Sequence, residues 1–557
     1  MKNVLIFLLL ISIPGFAQNN QGLQQLSEEF WAWRVVEQPA TGDDIPRVER
    51  PDGWVPDYSP KALQHYHQKY LEFKQRLEAL PRTGWSRSDS VDYLLLRSAI
   101  ERVNWELNVL RWPHRNPDFY VHQTLGAVYE LLLIHTPMTD QRARNILLRL
   151  QSIPKTVQHA KQNLTEPVAA FADIALRNLK DVHQKLHQTA QGLKKIMVKQ
   201  FHKALDIATE QAAEALEDYA RWLQARKASM SNNFSVGRKG YEYFLKNIAL
   251  MPYTPEELLK MGALEWNRSV AFHLYEKLRN ADVPKPGLFT SAEKQIAQSH
   301  QDEEAIRRFL EEKNIMAVPD WMRHYINKKI PDHIRPLAHM GVIDDLTSPT
   351  RLDEDGVSYI PEPSPDLPFF RLASAQDPRP IIVHEGVPGH YFQLVRSWKN
   401  PDPIRRHYYD SGANEGIGFY VEELMLQFGL FDDRPHTREI IYRFMRLRAL
   451  RVDVDVNLAL GNYTIEDAAR YLAQTVPMDY ATALQEAGFF ALTPGQAISY
   501  QIGKLQILKL IADAKIKFGD KFNLKNYHDY MMVNGNVPIA LQRWEYLGLR
   551  DEIDRLW

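Results

Sequence analysis

The residues best suited to chemistry lie in one segment, 384–390, which reads His-Glu-Gly-Val-Pro-Gly-His. In this type of pattern two imidazoles bind a zinc ion and the adjoining glutamate acts as a general base. We therefore predict that His384 and His390 are metal ligands and that Glu385 is the base. The chain contains no cysteine, so any zinc must be held by histidine and carboxylate.

The spacing of the two histidines differs from the common form of the pattern, in which the second histidine follows one helical turn after the first. Here the second histidine follows the first by six residues. On a regular helix this spacing would rotate His390 by about 240° relative to His384 and place it about 9 Å further along the axis. Pro388 removes a backbone donor, and Gly389 tolerates left-handed backbone angles. We predict that the backbone leaves the regular α-helix between Gly386 and Gly389, which returns His390 towards His384.

The third ligand is expected to be a carboxylate on a following helix, as in sites built from two histidines and one glutamate. Glu415 occupies the predicted first turn of such a helix, and Gly416 and Gly418 behind it leave room for a close approach. Glu422 returns to almost the same face about two turns later. We predict that Glu415 binds the metal and that Glu422 supports a ligand from behind.

A tyrosine completes the set of candidates. Zinc held by two imidazoles and one carboxylate keeps an open position for water and lowers the pKa of that water to roughly 7. Glu385 would accept the proton of this water and pass it to the leaving amine. Tyr500, near the start of the last long predicted helix, is the candidate donor to the developing oxyanion, with an exposed phenol directed into a cleft. A structural role for Tyr500 is the alternative.

The metal assignments also have structural alternatives. His390 could cap a helix that starts at Pro388, and Glu415 could complement the dipole of its helix. Three candidate segments occur in the expected order, at 384–390, 414–423 and 494–500. Their combination favours the metal site over both alternatives.

The elements that position these residues are mostly helices. From Ser59 to about Tyr325, and again from Ile381 to the end, apolar residues recur at helical spacing. Prolines crowd the segment between about 340 and 380, which predicts loops and short strands. We predict a mainly α, bilobal body with a deep central cleft and minor short strands. A helical scaffold lobe would cover 18–339, and a catalytic zinc-binding lobe 340–557.

The start of the chain reads as a signal peptide at 1–17, with a basic residue, a ten-residue apolar run and a small-x-small cleavage site at 15–17. We therefore expect export to the periplasm or the cell exterior. No later segment is apolar over the roughly 20 residues that a bilayer requires, so stable membrane insertion is not expected. Without cysteine, lipid attachment at a processed cysteine is excluded.

The charges exclude one class of partner. Lysine and arginine total 68 against 69 acidic residues, and both signs are interspersed along the chain. No basic patch for nucleic acid is expected. The sequence leaves the oligomeric state open.

Three motifs together resemble a bacterial family known as domain of unknown function 885. They are His-Glu-x-x-Pro-Gly-His at 384–390, Asn-Glu-Gly followed by Tyr-x-Glu-Glu at 414–423, and Pro-Gly-Gln-Ala-x-Ser-Tyr at 494–500. Members look like helical glutamate-zincins, so the resemblance implies a mostly α-helical peptidase with a deep cleft. By motif position it carries over to His384, Glu385, His390, Glu415 and Tyr500. Members commonly have tryptophan where this chain has Ile417, which changes the expected shape of the pocket.

The leading hypothesis is a secreted zinc-dependent hydrolase, a peptidase that acts on short peptides. A zinc amidohydrolase of another amide is one alternative, and an exported binding protein without activity is another. Glu385 argues against the binding protein, because a site that only binds has no need of a base beside the metal.

Overall fold

Helices dominate the structure, a computed structural model that describes residues 20–41 and 47–557. A small three-stranded sheet accompanies them. The prediction of a mainly α fold with minor strands is therefore confirmed. The predicted signal peptide at 1–17 lies outside the described residues.

The first part of the chain is a series of packed helices, several of which begin at a side-chain cap. Thr254 accepts a hydrogen bond from the backbone N–H of Glu257, whose side chain accepts one from the N–H of Thr254. The helices are α1 (Gln21–Glu37), α2 (Pro60–Glu78), α3 (Arg87–Asn104), α4 (Trp112–Arg115), α5 (Pro117–Val121), α6 (Ala127–Leu132), α7 (Asp140–Asn163), α8 (Ala169–Asn178), α9 (Val182–Lys194), α10 (His202–Arg226), α11 (Gly237–Asn247), α12 (Pro255–Arg279) and α13 (Ala292–Glu312).

The sheet lies between the two helical regions and contains β1 (Tyr325–Lys329), β2 (Asp344–Asp345) and β3 (Gly356–Ile360). The central strand β3 pairs in parallel with β1 and antiparallel with β2. Strands β2 and β3 fall in the proline-rich segment for which short strands were predicted. Strand β1 has no counterpart among the sequence predictions, because two of its five residues are lysines and the run is too short to show a clear period.

The second helical region carries the candidate site. Its helices are α14 (Phe369–Gln376), α15 (Arg379–Ile381), α16 (His390–Trp398), α17 (Pro403–His407), α18 (Ser411–Phe428), α19 (Pro435–Leu460), α20 (Ile465–Thr475), α21 (Tyr480–Leu492), α22 (Gln496–Phe518), α23 (Leu524–Val533), α24 (Ile539–Leu547) and α25 (Asp551–Asp554). Wider π-type turns occur at Trp105–Val109, His122–Gly126 and Ile382–Gly386, and 3-10 turns at Lys199–Phe201, Lys227–Ser229, Arg335–Met340 and Gly519–Lys521.

The hydrophobic core around the site draws on both sides of residue 340. Ile306 of α13 and Tyr325 of β1 belong to the same buried cluster as Phe419 of α18 and Ile507 of α22. The sheet likewise joins strands from both sides. The division into lobes at 340 stays a prediction, while the packing shows that the first helical region contributes directly to the walls around the site.

Helices α18 and α22 cross at unusually short range. A Cβ atom on Gly503 would overlap the carbonyl oxygen of Gly412, and one on Gly416 would lie 2.8 Å from the Cα atom of Gly503. Glycine is therefore required at both positions by the neighbouring backbone. This crossing brings the predicted ligand Glu415 on α18 close to the helix that carries Tyr500.

Among the described residues, we find no helix with the length and apolar character needed to cross a bilayer.

Candidate metal centre

The backbone between the two histidines is irregular, as the spacing predicts. The turn Ile382–Gly386 has the wider π-type hydrogen-bonding pattern, the Val387–Pro388 peptide is cis, and a new helix begins at His390. Gly389 does not adopt the left-handed angles expected of it, since its φ is −83° and its ψ is −133°. Glycine is needed there for a different reason, because a Cβ atom would overlap the carbonyl oxygen of His384.

The break brings the three predicted ligands together. Oε2 of Glu415 lies 3.5 Å from Nε2 of His384 and 3.3 Å from Nε2 of His390. One potential ligand atom from each residue lies within 4.8 Å of the other two, and the two imidazole rings are 4.7 Å apart at 77°. These separations suit a single ion with bonds of about 2 Å to nitrogen and oxygen.

The chemistry of the donor set fits a divalent metal. His384, His390 and Glu415 are almost completely buried, with exposures of 4%, 2% and 0%. The ring nitrogens of His390 and the carboxylate oxygens of Glu415 have no hydrogen bond of proper geometry within the described residues. Buried polar atoms without partners are costly, and a zinc ion would use these lone pairs as ligands.

A further carboxylate stands behind the first histidine. Oε1 of Glu422 lies 2.7 Å from Nδ1 of His384, and the guanidinium of Arg448 lies 2.9 Å from the same oxygen. The contact at Nδ1 turns Nε2 of the ring towards Glu415. A carboxylate in this place is typical of metal-binding histidines, because it fixes the ring orientation and raises its basicity.

The electrostatics of the cluster are strongly coupled. Burial and Arg448 act to lower the pKa of His384, but the contacts with Glu415 and Glu422 outweigh them and raise it to about 9. Burial acts to raise the pKa of Glu415, yet His390 and His384 hold it well below its ordinary value. The carboxylate is thus kept ionised and available to a cation, which would compete with a proton at His384.

Helix α18 holds Glu415 close to the imidazoles. The helix begins at Ser411 after its cap Asp410, so Glu415 lies one turn inside it rather than in the first turn predicted. A Cβ atom on Gly418 would lie 2.8 Å from Cε1 of His390 and 3.0 Å from Cε1 of His384. The room predicted at Gly418 is therefore occupied by the two rings.

Glu385 lines a cavity, whereas the three predicted ligands do not. The cavity has a volume of about 340 Å³ and is lined by Glu385 together with residues from 47–52, 130–149 and 342–351. Asp344 lies in the same wall, and burial and the charge of Glu385 raise the pKa of its carboxyl to about 6. Glu385 is half-buried and thus stands between the buried cluster and the open space.

Tyr500 is part of the centre, but it is not exposed as expected. Its side chain is 5% exposed, and its ring lies nearly parallel to that of His384, with centroids 6.3 Å apart. The guanidinium of Arg451 lies 4.6 Å from the centroid of the Tyr500 ring. The structure therefore places Tyr500 beside a predicted ligand, while a donor role for its hydroxyl stays a prediction.

Sequence reasoning missed the residue that fixes the start of α22. The buried carboxylate of Asp455 accepts hydrogen bonds from the backbone N–H groups of Gly495, Ala497 and Ile498, at 2.8, 2.7 and 3.2 Å. Burial raises its pKa to about 7 despite these bonds. Asp455 lies inside α19, so its sequence position gives no indication that it caps a distant helix.

Comparisons with known proteins give a family and a fold, without an activity. Two solved structures have the same fold. One is described as a "putative lipoprotein of unknown function" from Shewanella oneidensis, with 16% identity, a TM-score of 0.70, and coverage of 95% of this chain and 100% of that one. The other is a "putative lipoprotein" from Colwellia psychrerythraea, with 16% identity, a TM-score of 0.74, and coverage of 96% and 97%.

No curated protein matches this chain. The family model described as "Bacterial protein of unknown function (DUF885)" matches residues 39–543, a span that includes the whole candidate metal centre and the cavity. The chain therefore belongs to this bacterial family of proteins of unknown function.

Proposed function

We propose that this protein is an exported zinc-dependent hydrolase, and specifically a peptidase that acts on short peptides. The observation that carries the proposal is the convergence of His384, His390 and Glu415 in a buried cluster, with Glu385 extending from it to a cavity. A buried donor set in which His390 and Glu415 lack hydrogen bonds within the described residues calls for a cation, and a carboxylate beside it calls for a reaction that transfers protons.

The roles of the residues follow from their positions. Zinc bound by the three ligands would polarise a carbonyl and lower the pKa of water. Glu385 holds the place of the general base, because it adjoins the first ligand and faces the open space where a substrate would lie. It would take a proton from water and deliver it to the leaving amine.

The surrounding residues orient this machinery. Glu422, held by Arg448, fixes the ring of His384 and thereby the direction of Nε2. Tyr500 packs beside that ring and is the candidate donor to the oxyanion. Asp455 fixes the first turn of the helix that carries Tyr500.

The proposed substrate class rests on the space beside Glu385. A cavity of about 340 Å³ is the size of a small-ligand pocket and is too small for a folded protein segment. Charged side chains from 47–52, 130–149 and 342–351 line it together with apolar ones, so the main chain and charged groups of a short peptide would find partners there.

Export is proposed from the signal-like segment 1–17 and from the description of both structural relatives as lipoproteins. We therefore propose a periplasmic or extracellular protein.

The test combines metal analysis with a peptide-library digest. Purified wild-type protein should contain zinc and cleave short peptides, whereas Glu385→Gln should retain the metal and leave the library intact. Zinc binding with cleavage of other amides in place of peptides would favour an amidohydrolase. Zinc binding without hydrolysis would favour a binding protein, and a wild-type protein without zinc affinity would refute the proposal.

A further inference from the structure

A second group of two histidines and a glutamate lies on the helices α9 and α10, far along the chain from the first. His183 and His187 are one turn apart on α9, and their rings stack with centroids 4.8 Å apart at 22°. On a regular helix this spacing places both rings on the same face. The pair therefore offers two imidazole nitrogens to any group that approaches that face.

The neighbouring helix supplies the carboxylate. Oε2 of Glu210 on α10 lies 3.0 Å from Nε2 of His187, and its Oε1 lies 3.8 Å from Nε2 of His183. One potential ligand atom from each of the three residues lies within 4.8 Å of the other two. Both contacts of Glu210 are longer than a bond to zinc, so rotamer changes of these half-exposed side chains would bring all three to a common ion.

A fourth residue gives the arrangement the character of a metal site. Oε1 of Glu217, also on α10, lies 3.6 Å from Nδ1 of His183, the ring nitrogen turned away from Glu210. A carboxylate at the far nitrogen is the support that metal-binding histidines usually have, and it favours the tautomer whose Nε2 is free to bind.

The helices beneath the group are fixed by the core. Leu186 and Ala190 of α9 and Ala208 and Ala213 of α10 belong to one buried cluster. The backbone positions of the four polar side chains are thus set by apolar packing. Metal binding would cost the conformational entropy of these side chains, but it would not require either helix to move.

We propose that His183, His187 and Glu210 form a second divalent metal site, which takes zinc and clips α9 to α10. The residue after His183 is Gln184, so this site has no base where the buried centre has Glu385. Its side chains are 39% to 47% exposed, which leaves the remaining coordination positions to water. The site is therefore structural, and in a chain without cysteine it joins two helices that no disulfide can link.

The test is the zinc content of the full chain after equilibration with micromolar free zinc. Wild type should bind two ions, His183→Ala/His187→Ala one, and His384→Ala/His390→Ala one. A variant without any of these four histidines should bind none. The matched control is His65→Ala/His67→Ala, which removes two exposed histidines of α2 and should leave two ions bound.

A second variant separates binding from folding. Glu210→Gln keeps the shape of the side chain and should weaken the second site at least 10-fold, because an anionic ligand becomes a neutral amide. If wild type binds one ion and that ion is lost only with His384 and His390, the inference is overturned while the proposed function stands. If the ion is lost only with His183 and His187, the inference stands and the proposed function fails.

Discussion

The buried centre at His384 and the exposed cluster at His183 have the same residue types but differ in what surrounds them. Each consists of two histidines and a glutamate, and each has a further carboxylate near Nδ1 of its first histidine. The buried centre adds the candidate base Glu385, a cavity and a parallel tyrosine ring, whereas the exposed cluster has Gln184 at the position that corresponds to Glu385. A ligand set alone therefore predicts metal binding, and the neighbours of the ligands predict catalysis.

The two clusters also differ in how the backbone brings their histidines together. A regular helix suffices for His183 and His187, which are one turn apart. His384 and His390 need a π-type turn, a cis proline and a fresh helix start. The irregular backbone lets Glu385 line the cavity while both imidazoles approach Glu415, which a regular helix with this six-residue spacing cannot do.

The largest expected effect comes from the candidate base Glu385 of the buried centre, which has no counterpart in the exposed cluster. Glu385→Gln should lower kcat by about 10³-fold with zinc content unchanged, because the proton acceptor is lost while the imidazoles remain. Gln184→Glu places a carboxylate in the exposed cluster at the position that corresponds to Glu385. When it is added to the Glu385→Gln variant, it should restore no activity. Steady-state kinetics with metal analysis measures both, and a parallel loss of zinc in the Glu385 variant would contradict the assignment.

The next effect tests the tyrosine of the buried centre. Tyr500→Phe should lower kcat by on the order of 10²-fold with little change in zinc content, which is the typical cost of one oxyanion donor. Tyr420→Phe is the control, since the Tyr420 hydroxyl contacts His528 and belongs to the core. Activity of Tyr500→Phe within about three-fold of wild type would return Tyr500 to a structural role.

A smaller effect compares the two supporting carboxylates. Glu422→Gln should weaken zinc binding at the buried centre by 10- to 100-fold, the usual effect of removing such a partner. Glu217→Gln should weaken the exposed site less, because water can replace a half-exposed carboxylate. Competition with a zinc-binding dye, carried out in variants that retain one site each, gives both values. Equal losses at the two sites would show that burial does not matter to this contact.

The smallest effect concerns the stability of the helix start behind Tyr500. The pKa of Asp455 in the folded protein is about 7, against an ordinary value near 4, so its contribution to stability is full below about pH 4 and is lost as pH rises through 7. Asp455→Asn should therefore flatten the decline of unfolding free energy between about pH 4 and 8. Denaturant titrations at several pH values check this, and an unchanged slope would mean that other groups cause the decline.

The sequence predicts the convergence of His384, His390 and Glu415 because the motif that carries the two histidines is local. The spacing of His384 and His390 forces a break in the helix, and periodicity places Glu422 on the face of Glu415. The helical character of the fold follows in the same way from apolar spacing. These features depend on residues that are near one another in the chain.

The features that the sequence does not reveal depend on packing between distant segments. The cavity beside Glu385 is built by 47–52, 130–149 and 342–351, and no local pattern indicates that these meet. Asp455 caps a helix from the middle of another helix. The spacing of His183 and His187 is local to one helix, but their partner Glu210 comes from a neighbouring helix whose register is set by the core.

The glycine crossing of α18 and α22 has a consequence for how specificity can diversify in this family. Because backbone meets backbone where Gly416 and Gly503 pass, any larger residue there would push apart the helices that carry Glu415 and Tyr500. The crossing is thus closed to gradual substitution. Under the proposed function, we expect substrate preference to change instead through the lining of the cavity, such as the segment 342–351, which contains neither of these glycines.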